Sequence, residues 1–486
     1  MTAVVRGQHL ARLLHRWQAT TGPGGARLPE YASLATAVAG LVRDGRLGLG
    51  LRLPAERELA EVLGISRTTV SSAYRELRAS GHLSSRRGAG SWTTLPQGQR
   101  IATSGVWIPT EEPDVVDLGS AASAAPPELV VAAAEAVTDL GRYTGGAGYH
   151  PSGLAPLREA VAERFVARGL PTHPDQVLIT SGVQHAVDLI LRLIVSPGQS
   201  VLVESPTYPN VLAALRAHRV RVGTDNLDPQ TGWDAGLLLA ALRANRPSAV
   251  YVIPDFQNPT GHVMPVGLRE QLPAAAHRAG TDLIADESFV DLPLYGEPVP
   301  PPLASFDRNA RVLTVGGMTK PYWGGIRVGW IRAAAPVIAR LAALRVAVDM
   351  AGPVLDQLVA LRLLQRSEEV LGARRLQLAR QRDALVAAVR AHLPDWTFTL
   401  PRGGVCLWAE LPAPVSTALA HAASEHGLRL AAGPRFGVDG TLERFLRLPF
   451  TLPEHVLVDA VERLARAGED LDRTRPIEWA GPTLVA

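Results

Sequence analysis

Apolar and polar positions follow two different rhythms along this chain. Between residues 31 and 80 the apolar positions recur at helical spacing. Residues 31–44 form one such run, which Gly45, Gly48 and Gly50 break. Pro54 stands where a first helical turn tolerates proline, and a second helix is expected over 55–63. Gly64 supplies a turn, and Ser66 caps a third helix that runs to Ser80. Residues 82–94 hold Gly88 and Gly90 between short β-compatible pieces, which predicts a hairpin. Residues 95–115 are Pro/Gly/polar and read as a linker. From about 116 the rhythm changes. Apolar runs at 176–180, 200–204, 249–253, 283–286 and 312–315 alternate with helical stretches, the pattern of a parallel α/β sheet. A long helical region follows residue 335, then a smaller α/β part over about 395–470. Three units are expected: 1–94 with a core at 31–93, the linker 95–115, and a body over 116–475 whose larger part spans about 140–335.

Charge separates the two ends. Residues 1–100 hold 14 Arg, no Lys and six acids, a net +8 in a chain of net +3, so the remainder carries −5. A basic front on a mildly acidic body points to a nucleic-acid partner for the front. The single cysteine, Cys406, excludes an internal disulfide framework. No long uncharged apolar run predicts a membrane span, and arginines interrupt the first 17 residues where a signal peptide needs an apolar core. A cytoplasmic protein with no membrane partner is expected.

The front holds its chemistry on the third helix. Arg67, Thr68, Thr69, Ser71 and Ser72 lie on its first turns, where short polar and cationic side chains reach base edges and phosphates. Arg57, Arg86 and Arg87 add positive charge for phosphate contact. An Arg-rich solvated face on a small helical domain is the ordinary alternative. The stretch resembles the winged helix-turn-helix of GntR-family regulators through Leu53-Pro54, Glu56-Arg57, Leu63-Gly64, Ser66-Arg67, Thr69-Val70, Ala73-Tyr74, Gly81 and the wing glycines Gly88 and Gly90. The resemblance implies binding to double-stranded operator DNA, normally as a dimer, with Ser66 and Gly90 among the contacts.

One residue stands out in the body. Of 49 basic residues 48 are arginine, and Lys320 is the only lysine. Arginine replaces lysine as a solvated charge but not as a neutral amine that attacks a carbonyl. Pyridoxal 5′-phosphate (PLP) chemistry needs such an amine, an acid for the pyridine nitrogen, a phosphate cradle and a ring platform. Asp286 ends an apolar run and offers the acid. Ser181, Gly182 and Val183 open a helical stretch after another run and offer the cradle. Tyr208 offers the platform, and Asn258, in Asn258-Pro-Thr-Gly261, a hydrogen bond to the cofactor's phenolic oxygen. Taken singly, each has an ordinary reading as a strand-end acid, a turn or a core tyrosine.

In this order and spacing the residues resemble fold-type I PLP-dependent aminotransferases over about 115–470. The resemblance implies a mostly parallel sheet with a smaller C-terminal α/β part. It implies a Schiff base on Lys320, a phosphate contact from Arg327, and Tyr149 reaching the cofactor of a partner subunit. Arg447 matches the arginine that clamps a ligand's α-carboxylate; by itself it also reads as a surface ion pair. Two positions depart from the family pattern. Phe289 replaces a tyrosine three residues after the acid, and Gly317 a serine three residues before the lysine. Both bear on turnover more than on PLP binding. The two halves together resemble the MocR subgroup of GntR-family regulators. This implies a PLP-dependent transcriptional regulator, a head-to-tail homodimer, that senses a small amine, an amino acid or PLP itself. The alternatives are an active aminotransferase that carries a DNA-binding domain, or a degenerate body that serves only for dimerisation.

Overall fold

A computed structural model of the chain describes residues 5–14, 17, 28–44, 47, 51–86, 90–94, 114–438 and 440–474. The front builds helices α1 (Gly7–Leu13), α2 (Glu30–Arg43), α3 (Glu56–Leu63) and α4 (Arg67–Ala79), then a hairpin of β1 (Leu83–Arg86) and β2 (Gly90–Thr93). Gly64 closes α3 in the left-handed conformation (φ 67°) that glycine adopts at little cost. Ser66 then caps α4, its Oγ accepting from the Thr69 amide at 3.0 Å. Leu34, Val38, Leu59, Val70 and Leu77 make the core, and Tyr74 joins them with its hydroxyl donating to Pro54 O at 2.9 Å. Helix α1, unanticipated in the sequence, adds Leu10 to that core. Arg87, Gly88 and linker residues 95–113 lie outside the described residues.

The body opens with β3 (Val116–Asp117), α5 (Glu128–Leu140) and α6 (Ala155–Ala167). Strands and helices then alternate: β4 (Val177–Thr180), α7 (Val183–Ile194), β5 (Ser200–Ser205), α8 (Pro209–Ala217), β6 (Arg221–Asp228), β7 (Gly232–Trp233), α9 (Ala235–Asn245), β8 (Ala249–Val252), α10 (Val266–Ala279), β9 (Asp282–Asp286), β10 (Val312–Gly317) and β11 (Gly329–Arg332). They form one sheet of order β4-β11-β10-β9-β8-β5-β6-β7, parallel from β10 to β6. Strand β11 runs antiparallel between β4 and β10. Both faces are covered, which explains the unbroken apolar runs: Leu178, Val201 and Tyr251 enter one core, Ile179, Leu202 and Val250 the other. Three helices follow, α11 (Ala335–Val346), α12 (Val354–Gln365) and α13 (Ser367–His392). The smaller part holds β12 (Thr397–Phe398), β13 (Cys406–Glu410), α14 (Ser416–Glu425), β14 (Leu428–Arg429), β15 (Ala431–Ala432), β16 (Phe445–Pro449) and α15 (Glu454–Thr474). Strand β3 pairs with β14, so the chain leaving the linker is tied to this smaller part.

Among the described residues, polar contacts join the front to the body at two places. The Leu442 amide donates to Arg43 O at 2.7 Å, with Arg444 Nε 3.2 Å from Asp44 Oδ2 beside it. At the far sheet edge, His9 Nδ1 stands 3.7 Å from Asp234 Oδ2.

Candidate functional site

The C-terminal edge of the parallel strands gathers the chemistry, as open α/β sheets do. Strand β9 ends on Asp286, β10 leads to Lys320, β5 to Tyr208, β8 to Asn258, and β4 to Gly182 at the start of α7. Val183, Tyr208, Asn258, Asp286, Lys320 and Arg327 line one cavity of about 260 Å³. Arg327 reaches it beside α7, its Nη2 donating to Ser181 O at 3.2 Å. Gly182 (φ 87°) admits that approach, because a Cβ there would lie 2.8 Å from Arg327 Nη2.

Burial tunes the two charged groups. The Lys320 pKa is pushed down to about 8, first by desolvation and then by the nearby Arg447 guanidinium. Its Nζ donates to Ala121 O at 2.8 Å and lies 5.7 Å from the Phe289 ring centroid. Burial raises the Asp286 carboxyl, against hydrogen bonds from Ser288 and Tyr251. Ser288 N donates to its Oδ1 at 2.9 Å, and the Tyr251 hydroxyl to its Oδ2 at 2.5 Å. A buried acid held this way gains most from a cationic partner.

Arg447 sits on β16, 5 % exposed, over the Phe436 ring. It donates to Gly119 O, and its Nε is buried with no partner among the described residues. That rules out a surface ion pair. Ser181 falls outside the cavity lining: its hydroxyl meets Asp349 Oδ2 at 3.3 Å, and its amide donates to His185 Nδ1 at 3.0 Å. Tyr149 is 63 % exposed and does not line its own chain's cavity. Gln184, Asn210, Ser288 and Thr319 line it as well; Gln184 and Thr319 flank the cradle and lysine motifs, and none of the four was among the expected site residues. Asn210 follows Tyr208 closely, and its Nδ2 donates to the Tyr208 hydroxyl at 2.9 Å.

Residues 113–464 match the model of aminotransferase class I and II, and residues 24–92 that of bacterial regulatory proteins, gntR family. The chain belongs to the aminotransferase class I and II family. The chain is similar to the HTH-type transcriptional regulator YdfD of Bacillus subtilis, 27 % identical over 81 % of this chain and 86 % of that protein. The probable rhizopine catabolism regulatory protein MocR of Rhizobium meliloti is 28 % identical over 76 % and 79 %. The crystal structure of α-aminoadipate aminotransferase from Thermus thermophilus, complexed with N-(5′-phosphopyridoxyl)-L-leucine, superposes with a TM-score of 0.68. It is 30 % identical, over 74 % of this chain and 94 % of that one. The chain is thus a GntR-type regulator of the MocR-like kind, fused to a PLP aminotransferase-like body.

The pocket of this aminotransferase-like body fits PLP on its own geometry. An amine with a lowered pKa and a buried acid line one cavity. The buried Asn258 Oδ1 has no partner among the described residues, as expected of a polar group that awaits a ligand. Gly317 packs closely there: a Cβ would meet Val183 Cγ2 at 3.0 Å and Val328 O at 3.1 Å, so the serine of the family pattern would need its neighbours to shift by a few tenths of an ångström.

The gntR-type reader turns Leu77, Val70 and Ala73 of α4 inward and leaves Arg67 and Thr68 exposed, with Arg57 exposed on α3. Ser66 and Thr69 are engaged locally, through the cap and an Oγ–Oγ1 contact of 2.8 Å. Arg75 and Arg78 extend the exposed cationic row beyond the positions marked from the sequence.

Proposed function

We propose that this regulator senses a small amine or amino acid in its PLP pocket and that occupancy changes how its reader holds an operator. The carrying observation is Arg447, a buried guanidinium with an unpartnered Nε, close enough to depress Lys320. Such a fork suits a carboxylate. PLP, bound through Lys320, supplies an electrophilic carbon for an incoming amine and an electron sink. The chain's residues do the rest. Asp286 holds the pyridine nitrogen protonated, and Asn258 and Tyr208 orient the ring. Arg327 and the α7 N-terminus, with Gly182 and Val183, hold the phosphate. The buried aromatic ring of Phe289, where the family pattern has tyrosine, favours sensing over rapid turnover. Arg67, Thr68, Ser71 and Arg57 contact the operator, and the sensor works as a homodimer in which Tyr149 reaches the partner's cofactor.

Arg447→Lys keeps the charge and loses the fork. It should weaken an amino acid by about 1.5–3 kcal/mol, roughly ten- to a hundredfold, and barely touch an amine that lacks a carboxylate. Titration against the cofactor's near-visible absorption and against operator affinity reads both. Equal loss for both ligands would remove the carboxylate from the reading. Turnover of amino donor and keto acid at ordinary enzyme rates would favour an aminotransferase instead.

A further inference from the structure

A second and larger cavity, of about 770 Å³, lies away from the PLP pocket, between the reader and the β6–β7 edge of the sheet. Its volume falls in the range of small-molecule sites. The reader contributes His9 and Leu13 of α1, and the body Asp225, Asn226, Trp233 and Leu237. Two acceptors on β6 lack partners among the described residues. Asp225 is 6 % exposed, and nothing among the described residues hydrogen-bonds or ion-pairs with its carboxylate. Asn226 Oδ1 is also buried and unpaired among the described residues, on the opposite face of β6. A buried carboxylate without a partner is costly, and its burial, with Asp234 nearby, pushes its pKa up to about 8, so the carboxyl holds a proton that a bound cation replaces.

The guanidinium groups on the lining, Arg12 and Arg221, are exposed, so the buried ionisable group facing the cavity is an acid. Asp234 is occupied, capping α9 through Leu237 N at 3.0 Å and facing His9. The acids do not form a metal site either. Among the described residues no three His, Cys, Asp or Glu side chains converge to hold an ion. What remains is a carboxylate and an indole on one face of β6 and β7, a pair that recognises an organic cation with N–H donors.

We propose that this cavity binds a small organic cation carrying a guanidinium or amidinium group, held by Asp225 beside Trp233 at the seam between reader and body. The site is separate from the PLP pocket and does not depend on it. A ligand seated there touches both parts, so it stabilises their docked arrangement by its differential affinity for that state.

Phenylguanidinium is the probe, because a charged guanidinium does not add to the cofactor's carbonyl carbon. Calorimetric titration of the full PLP-loaded chain should give a saturable isotherm. Asp225→Asn, nearly isosteric, should weaken it at least about tenfold by removing the charge-assisted pair. Leu13→Trp, which narrows the cavity from the reader side, should weaken it as well, and this variant decides alone if Asp225→Asn fails to fold by circular dichroism. The near-visible absorption of the lysine-bound cofactor should stay unchanged throughout. No saturable binding, equal affinity in the variants, or a cofactor spectrum that tracks the isotherm would each overturn the proposal.

Discussion

The protonation state of one amine governs how this pocket fills. Only a neutral lysine attacks the carbonyl of PLP, and Lys320 sits near pKa 8 because burial and Arg447 both disfavour its charge. The neutral fraction therefore grows about tenfold per pH unit below 8 and levels off above it. Loading of the apoprotein, followed by the growth of near-visible absorption, should rise steeply from pH 6 to 7 and flatten past about 8. An unshifted lysine would keep rising to about pH 10, and a flat profile would mean that Lys320 does not limit loading. Lys320 was legible in the sequence because guanidinium cannot do its chemistry. Its surroundings were not. Ala121 and Gly119, whose carbonyls meet Lys320 and Arg447, lie 199 and 328 residues away in sequence, and no local pattern encodes such contacts.

Helix α4 separates two roles that sequence reading had merged. Ser66 carries the cap, so Ser66→Ala should cost the reader about 1 kcal/mol and lower its thermal unfolding midpoint. Arg67 is exposed, with only a loose approach to Glu56 at 3.9 Å. Arg67→Ala should leave the midpoint alone and weaken operator binding, with a shallower salt dependence. If both variants moved the midpoint equally, or if Arg67→Ala left operator affinity unchanged at every salt concentration, α4 would not be the recognition element. At this scale the hydrophobic rhythm was informative. The predicted helices over 31–44 and 55–63 appear as α2 and α3, and the run 312–315 lies within β10. Strand direction was not legible, because Trp330 and Ile331 of β11 alternate faces in either orientation and only the register with β4 and β10 makes it antiparallel. The short α1 gives no such signal, because its seven residues make only about two turns and carry too few apolar positions to fix a period.

Across the whole molecule, sensing requires that the reader notice the state of the body. The described contacts offer one latch next to the ligand arm. Arg447 and Arg444 lie on or beside the same strand, β16, and Arg444 holds Asp44 at the end of α2. Arg444 also donates to Leu411 O at 3.2 Å and to Pro412 O, which fixes it to the smaller part of the body. A carboxylate drawn to Arg447 therefore acts on the strand that carries the reader's tether. The coupling is measurable as the factor by which a saturating amino acid changes operator affinity, and linkage requires the operator to change amino-acid affinity by the same factor. Asp44→Arg should bring that factor towards one, while PLP loading and the amino acid's own affinity for operator-free protein stay near wild type. Adding Arg444→Asp restores an opposite pair and should recover part of the coupling, whereas either single change should not. A factor unchanged in Asp44→Arg would remove the latch as the route. A factor lost in both single variants and not recovered in the double would point to damage at the contact rather than to charge.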